Sequence, residues 1–251
     1  MTAVAERDRE PDSELVSIIM PTYNCGAFIG ETIASVQAQT HSHWELLVVD
    51  DCSTDDTAEV VAALAENDPR IRYVRLEINS GAAMARNRAM ELAQGRYMAF
   101  LDSDDLWHPD KLRRQIDFMT SRGLAMSCTA YAQIDEQGAP TGKTVRSPAR
   151  TSYNRLLLDC PVGNSTVMYD VARLGKFEVP NIRKRNDDAL WLRMLRTERY
   201  IWGMPVVLMR YRLRSGSVSA NKRSLVKYHW TLYRDIEHLS VPRSVFHIGV
   251  W

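Results

Sequence analysis

The four cysteines, Cys25, Cys52, Cys128 and Cys160, are widely spaced and form no C-x-x-C pair. They make neither a zinc-ligand set nor a small disulfide framework, and reduced thiols in a cytosolic protein are their simplest state. No apolar run approaches the roughly 20 residues needed to span a bilayer. The opening stretch, MTAVAERDREPDSE, is polar and acidic and lacks the apolar core of a signal peptide. Formal net charge is only +1, which gives no general attraction to nucleic acid. There is no internal repeat and no low-complexity tract. What remains is ordinary globular composition, 45% hydrophobic and 25% charged over 251 residues. That suffices for one substantial core, or for a domain with a helical appendage, in a soluble or peripheral protein.

The first half alternates strand and helix signals. Val16–Met20 is a short apolar strand halted by Pro21-Thr22-Tyr23-Asn24, after which Phe28, Ile29, Ile33 and Val36 recur at helical spacing. Trp44–Val49 is a second strand closed by Asp50-Asp51, and Ser53 or Asp55 can cap the helix carrying Val60, Val61 and Leu64. Ile71–Leu76 is a third strand, and Gly81–Ala93 an Ala-rich helix. Tyr97–Leu101 is a fourth strand, and Pro109–Thr120 a further helix. This order predicts an α/β fold with a mostly parallel central sheet flanked by helices. In such a sheet the strand C-termini share one edge, where ligands bind. Pro21-Thr22-Tyr23, Asp50-Asp51 and Asp102-Ser103-Asp104 each follow a strand directly, so they should gather there.

The acid cluster stands out. Asp102, Asp104 and Asp105 fall together at the end of the apolar run, just before Trp107, His108 and Pro109. Carboxylates crowded at the mouth of a buried strand repel each other, and a bound Mg²⁺ or Mn²⁺ would relieve that repulsion. A solvated turn with a helix cap is the other explanation, since Asp is common at both.

The second half is less regular. Met126–Gln133 and Val206–Tyr211 have strand character, and Asn164–Tyr169 allows a strand. Residues 139–150 are loop-like, Val171–Phe177 is a short helix, and Asp187–Leu195 is an amphipathic helix after the basic run Arg183-Lys184-Arg185. Leu225, Tyr228, Leu232, Ile236 and Leu239 mark one stripe of a helix over residues 222–239. The chain therefore divides into a disordered 1–14, a domain over 15–220 and a helical extension over 221–251.

VSIIMPTYN, ELLVVDDCSTDDT, NSGAAMARNRAMELAQGRYMAFLDSDDLWHPDKL and RNDDALWLRML occur here in order. Together they resemble the family-two inverting glycosyltransferases of GT-A fold over about residues 16–220. NSTVMYD and YRLRSGSVSANK are similar to the bacterial enzymes that build exopolysaccharides and lipopolysaccharides. The resemblance implies a nucleotide-diphosphate sugar donor, UDP-linked in preference, cradled by Pro21, Thr22 and Tyr23. It implies that Asp51 accepts a hydrogen bond from the base, and that Arg86 and Arg212 lie near the donor. Asp102 and Ser103 would touch the donor, and Asp104, with Asp102, would hold Mg²⁺ or Mn²⁺. Asp105 is a substitute ligand or a support.

An inverting transfer also needs a base opposite the leaving group. Alignment of the following LWLR places it at Asp187, with Asp188 as rival, because Asn186 stands where the family commonly has Glu. The acceptor implied is a glycan or lipid-linked sugar at the inner face of a bacterial membrane. Peripheral contact would run through the 222–239 helix and Val245, Phe246, Ile248, Val250 and Trp251. For Arg214, Ser215 and Ser217 a place near the diphosphate competes with a solvated loop, and core packing accounts for Trp107 and Trp191. A sugar-phosphate nucleotidyltransferase would carry a Gly-rich segment where this chain has PTYNCG. A non-catalytic binding module for nucleotide sugars or lipid-linked glycans remains the alternative.

Overall fold

The computed structural model describes residues 14–214 and 222–250. The expected alternation is present as β1 (Val16–Thr22), α1 (Gly26–Gln37), β2 (Trp44–Asp50), α2 (Thr57–Asn67), β3 (Ile71–Arg75), α3 (Ala82–Leu92) and β4 (Tyr97–Phe100). A two-residue strand β5 (Leu106–Trp107), helix α4 (Lys111–Thr120) and β6 (Met126–Ile134) follow. Then come β7 (Pro140–Val145), β8 (Arg150–Thr151), α5 (Tyr153–Leu158), β9 (Met168–Asp170) and α6 (Val171–Leu174). The chain continues through α7 (Asn186–Met194), β10 (Ile201–Arg212), α8 (Lys222–Thr231) and α9 (Val241–Val250).

One ten-stranded sheet runs β3-β2-β1-β4-β9-β6-β10-β5, with β7 on β6 and β8 on β10. β1 to β4 are mutually parallel, as are β6 and β10, while β9 is antiparallel to both β4 and β6. The order places β1 and β4 at the middle, so their C-terminal ends open side by side.

Strand periodicity explains why the central strands read as continuous apolar runs. Ile19, Leu47, Val49, Met98 and Phe100 point to one core, packed under α3 and α7 with Trp191 and Leu157. Ile18, Met20, Leu46, Val48, Tyr97 and Ala99 point to the other, under α1 and α4 with Ile29, Ile33 and Leu112. A strand covered on both faces needs no polar alternation. Trp191 is wholly buried and meets Phe100 edge-on at 4.9 Å, so it is core and not a sugar platform.

Several local expectations change. Pro21 and Thr22 lie within β1, paired with Val49 and Asp50, so only Tyr23 and Asn24 start the loop. Asp56 holds the N-cap position of α2 without a side-chain cap bond, and Asp55 Oδ1 accepts the Thr57 N–H at 3.1 Å. The loop-like stretch 139–150 contains exposed β7. Asn164–Thr166 is a 3-10 turn, and only Met168–Asp170 is strand. The C-terminal helix is interrupted by a π-helical segment at Leu232–Ile236. That part of the chain packs on the domain, because Leu232 and Tyr233 of the segment, and Leu239 beyond it, share the Trp191 core. Residues 1–13, Ser215, Ser217 and Trp251 lie outside the described residues.

Candidate active site

β1, β2 and β4 end together because they are adjacent parallel strands, and their last residues form the floor of the site. Asp51 follows β2, and its backbone N–H donates to Thr22 O at 2.9 Å, tying two of the predicted clusters together. Its carboxylate accepts the Ser80 N–H on Oδ1 at 2.6 Å and the Gly81 N–H on Oδ2 at 2.7 Å. Gly81 has φ +91°, a left-handed conformation that L side chains rarely adopt, and it opens α3. Asp51 thus shapes the loop before α3. Each oxygen keeps a second lone pair for a base donor. Tyr23 is 50% exposed at the rim, free for a face-on contact. The buried Thr22 hydroxyl has no hydrogen-bond partner among the described residues. A buried unpartnered hydroxyl costs stability unless a ligand supplies the missing bond.

The acid cluster is sorted by burial. Asp105 is inaccessible: Oδ1 accepts the Arg212 N–H at 3.0 Å and Oδ2 accepts the Ser165 hydroxyl at 2.6 Å. Ser165 Oγ in turn accepts the Asp102 N–H at 3.0 Å, so the 3-10 turn knits the whole acidic loop. Burial, with Asp102 and Asp104 nearby, raises the Asp105 carboxyl well above the ordinary range. Asp105 is therefore a support and not an open ligand.

Asp102 keeps 37% of its side chain exposed, and Oδ1 accepts from Asn164 Nδ2 at 2.7 Å and from Arg86 at 3.3 Å. Asp104 Oδ2 pairs with Arg214 at 3.0 Å. Burial, then the neighbouring charges of Asp104 and Asp187, push the Asp102 carboxyl upward, while Arg86 and Asn164 oppose the rise.

Arg86 also donates to Asn186, so one buried guanidinium links the acid cluster to the start of α7. Asp187, the next residue, is close enough to bear on the charge of Asp102. The two halves of the predicted site meet here. Asp188, by contrast, is buried and pairs with Arg185 at 3.1 Å. Its carboxyl is raised by burial and by Asp187. Asp187 is the partly open member of the pair.

Two placements differ from expectation. Arg212 has a side chain only 1% exposed. It pairs with Glu31 at 2.6 Å and donates to the carbonyls of Asp104 and Glu136, acting as a strut for the acidic loop. Arg214, on the Phe28 ring and beside Asp104, holds the position facing the carboxylates. Ser103 is buried, its carbonyl accepting from the Cys25 thiol and from Thr32. Asn164 and Ser165, within NSTVMYD, join the site through their bonds to Asp102 and Asp105, a role the sequence around them does not mark. Trp107 is core, bonded through Nε1 to Ser165 O at 2.8 Å, and His108 is an exposed loop residue.

Metal fit rests on the open oxygens. Among the described residues the side-chain contacts of Asp102 all fall on Oδ1 and those of Asp104 on Oδ2, leaving one oxygen of each carboxylate open. No three His, Cys, Asp or Glu side chains among the described residues group closely enough to hold an ion by themselves. That set suits Mg²⁺ or Mn²⁺, which usually combine one or two carboxylates with water and substrate phosphates. A cavity of about 690 Å³ lies elsewhere, between Ile78, the outer residues of α3 and Phe177, and touches this region only through Ser80.

The glycosyl transferase family 2 model matches residues 17–181. The chain belongs to that family. A Bacillus subtilis (strain 168) protein named putative teichuronic acid biosynthesis glycosyltransferase TuaG is 46% identical over 232 residues, 92% of each chain. An Escherichia coli protein named UDP-Glc:alpha-D-GlcNAc-diphosphoundecaprenol beta-1,3-glucosyltransferase WfgD is 40% identical, covering 94% of this chain and 91% of its own. Among solved structures, S. aureus TarS 1-349 in complex with UDP is similar with a TM-score of 0.69 at 21% identity, over 93% of this chain and 69% of that one. This family 2 glycosyltransferase therefore has the expected GT-A fold. The family match stops before Asn186, so the position of Asp187 rests on the Arg86 bridge and not on that match.

Proposed function

We propose that this chain transfers a sugar from a nucleotide-diphosphate donor, UDP-linked in preference, with inversion of the anomeric centre. The acceptor is a glycan or lipid-linked sugar in bacterial cell-surface polysaccharide synthesis, reached from the cytoplasmic face of the membrane. The observation that carries this is the Arg86 bridge, which joins Asp102 to Asn186 and so brings the start of α7, next to Asp187, close to the acidic loop. Support for the donor and acceptor classes comes from the names of WfgD and TuaG and from the UDP held by TarS.

In this scheme Thr22, Tyr23 and Asp51 receive the nucleotide. The buried Thr22 hydroxyl gains the bond it lacks, and Asp51 keeps the Ser80–Gly81 loop in register. Asp104 and Asp102 would hold Mg²⁺ or Mn²⁺, and the ion supplies Lewis-acid stabilisation of the departing diphosphate when bound. Arg214, already beside Asp104, adds positive charge on the same side. Asp187 takes the proton of the acceptor hydroxyl as that oxygen attacks the anomeric carbon. Asp188 stays behind it, paired to Arg185.

A panel of UDP-, GDP- and dTDP-sugars, scored by metal-dependent protection against thermal unfolding, tests the donor class, since a tight ligand stabilises by mass action. UDP-sugars should protect most, and only with Mg²⁺ or Mn²⁺ present. Chelator-insensitive transfer would remove Asp104 from its role, and a product of retained anomeric configuration would remove the base.

A further inference from the structure

Helix α9 is amphipathic in the inverted sense. Its buried positions include Ser244 and His247, whereas Val241, Val245, Phe246 and Val250 are between 49% and 59% exposed. At 100° per residue the exposed positions sweep one continuous side made of Val241, Val245, Gly249, Pro242, Phe246 and Val250, with Arg243 at its border. A surface helix of a water-soluble domain turns its polar residues outward. Helix α8, packed against α9, adds exposed Val226 and Trp230 beside Lys227. Among the described residues, six of the eleven exposed large hydrophobic residues thus fall within residues 222–250. Scattered exposure does not give that concentration.

Charge tells what covers this face. Residues 222–250 contain Lys222, Arg223, Lys227, Arg234 and Arg243 against Asp235 and Glu237, a net +3 in a chain whose total is +1. The remainder of the chain is therefore net −2. Glu237 is buried and paired with Arg196 at 2.8 Å, so it offers little negative charge to the outside. A second copy of this chain would bring the same positive charge to the contact, and like charges oppose that pairing. An apolar face bordered by cations, with a Trp among its exposed residues, matches the boundary between acyl chains and anionic headgroups. We infer that the exposed side of α9, with Val226 and Trp230 of α8, docks on an anionic lipid bilayer surface.

The dock is also placed to serve the site. Tyr233, in the π-helical segment between α8 and α9, donates to Leu157 O at 2.9 Å, and α5 packs on α7, the helix that carries Asp187. A bilayer bound at α9 would thereby be joined through α5 to the helix that carries the proposed base. That last relation rests on the proposed base, whereas the lipid contact itself does not. Half-buried Ile248, expected among the membrane-facing residues, packs inward instead.

Flotation of the full chain with acceptor-free vesicles tests the contact separately from transfer. Vesicles of phosphatidylethanolamine and phosphatidylglycerol should carry the protein at least about ten-fold better than phosphatidylcholine vesicles, and 0.5 M salt should weaken that binding. The double variant Val245→Ser/Phe246→Ser should lose vesicle binding with an unchanged Tm, because both side chains are already in solvent. Arg243→Gln/Lys227→Gln should lose only the anionic preference. No flotation with anionic vesicles, or equal flotation of the Val245→Ser/Phe246→Ser variant, overturns the inference. So does a concentration-dependent dimer in analytical ultracentrifugation that this variant abolishes while vesicles fail to bind.

Discussion

Asp102 and Asn186 meet on the guanidinium of Arg86, which donates to a side-chain oxygen of each. The contact joins the end of β4 to the first turn of α7 and fixes where Asp187 stands relative to the acidic loop. A planar guanidinium can serve two acceptors in fixed directions, and an ammonium cannot reproduce that fork. Arg86→Lys should keep most of the fold yet lower kcat by about 10- to 100-fold, because small misplacements of a base are expensive in rate. Arg86→Ala should lower both kcat and Tm, since it leaves Asp102 in its acidic surroundings without that partner. Steady-state kinetics beside thermal unfolding separates the two. A Lys variant with parental kcat would show that the bridge does not position the base.

Asp187 and Asp188 differ in burial and partners, and that difference predicts opposite losses. Asp187→Asn should reduce transfer by roughly 100-fold or more, within the range for removing a general base. Donor protection against unfolding should be retained. Asp188→Asn breaks the buried pair with Arg185 and should show first as a lower Tm, with donor binding intact. The check is donor-induced Tm shift and turnover on both variants. Full turnover by Asp187→Asn would move the base to its neighbour.

How much of this was legible beforehand depended on burial pattern. β1, β2 and β4 announced themselves because both faces are covered, so each is apolar throughout. β7 is almost wholly exposed and offers no apolar period, so its sequence has the composition of a loop. Helix α9 falls within the helical extension expected over 221–251, but its bounds carry no inward apolar stripe, its apolar residues being outside and Ser244 and His247 inside. Parallel-strand topology correctly brought Thr22, Asp51 and Asp102 to one edge. No local pattern could say that Arg86 would reach Asn186, a contact spanning 100 residues. Arg212 and Arg214 are equally basic in the sequence. Only the fold shows that Glu31 and two carbonyls enclose the first and leave the second beside Asp104.

The Thr22 hydroxyl gives a test in which stability and binding part company. It is buried without a partner, so replacing it with the near-isosteric Val removes a desolvated polar group and should leave Tm unchanged or slightly higher. If the donor supplies the missing bond, KM for the donor should rise about five- to ten-fold, in line with a lost hydrogen bond of roughly 1 kcal/mol. Donor titration followed by thermal unfolding measures both on one sample. A higher Tm with unchanged donor affinity would exclude Thr22 from the binding surface.

Lys111 lies fully buried under the acidic loop, its Nζ 4.0 Å from the centre of the Trp107 ring and bonded to Gln115 Oε1 at 3.0 Å. Gln115 in turn donates to Thr166 O and Ser127 O, fastening α4 to β6 and to the turn that holds the acidic loop. Burial pushes the Lys111 ammonium from 10.5 down to about 7. Between these values the unfolded chain binds a proton that the folded chain does not. The free energy of unfolding should therefore rise with pH from about 7 to about 10.5, by up to roughly 1.4 kcal/mol per pH unit from this group. Below about 7 both states are protonated and the contribution is flat. The face of Trp107 favours the ammonium and shortens the window from its lower end. Lys111→Met, with no proton to bind, should lack the slope, so the difference in unfolding free energy between parent and variant should change steadily between pH 7.5 and 9.5. Urea unfolding at several pH values reads that difference directly and cancels the other titrating groups. Parallel profiles would mean that Lys111 keeps its proton in the fold through that range, with the Trp107 ring and Gln115 compensating fully for its burial.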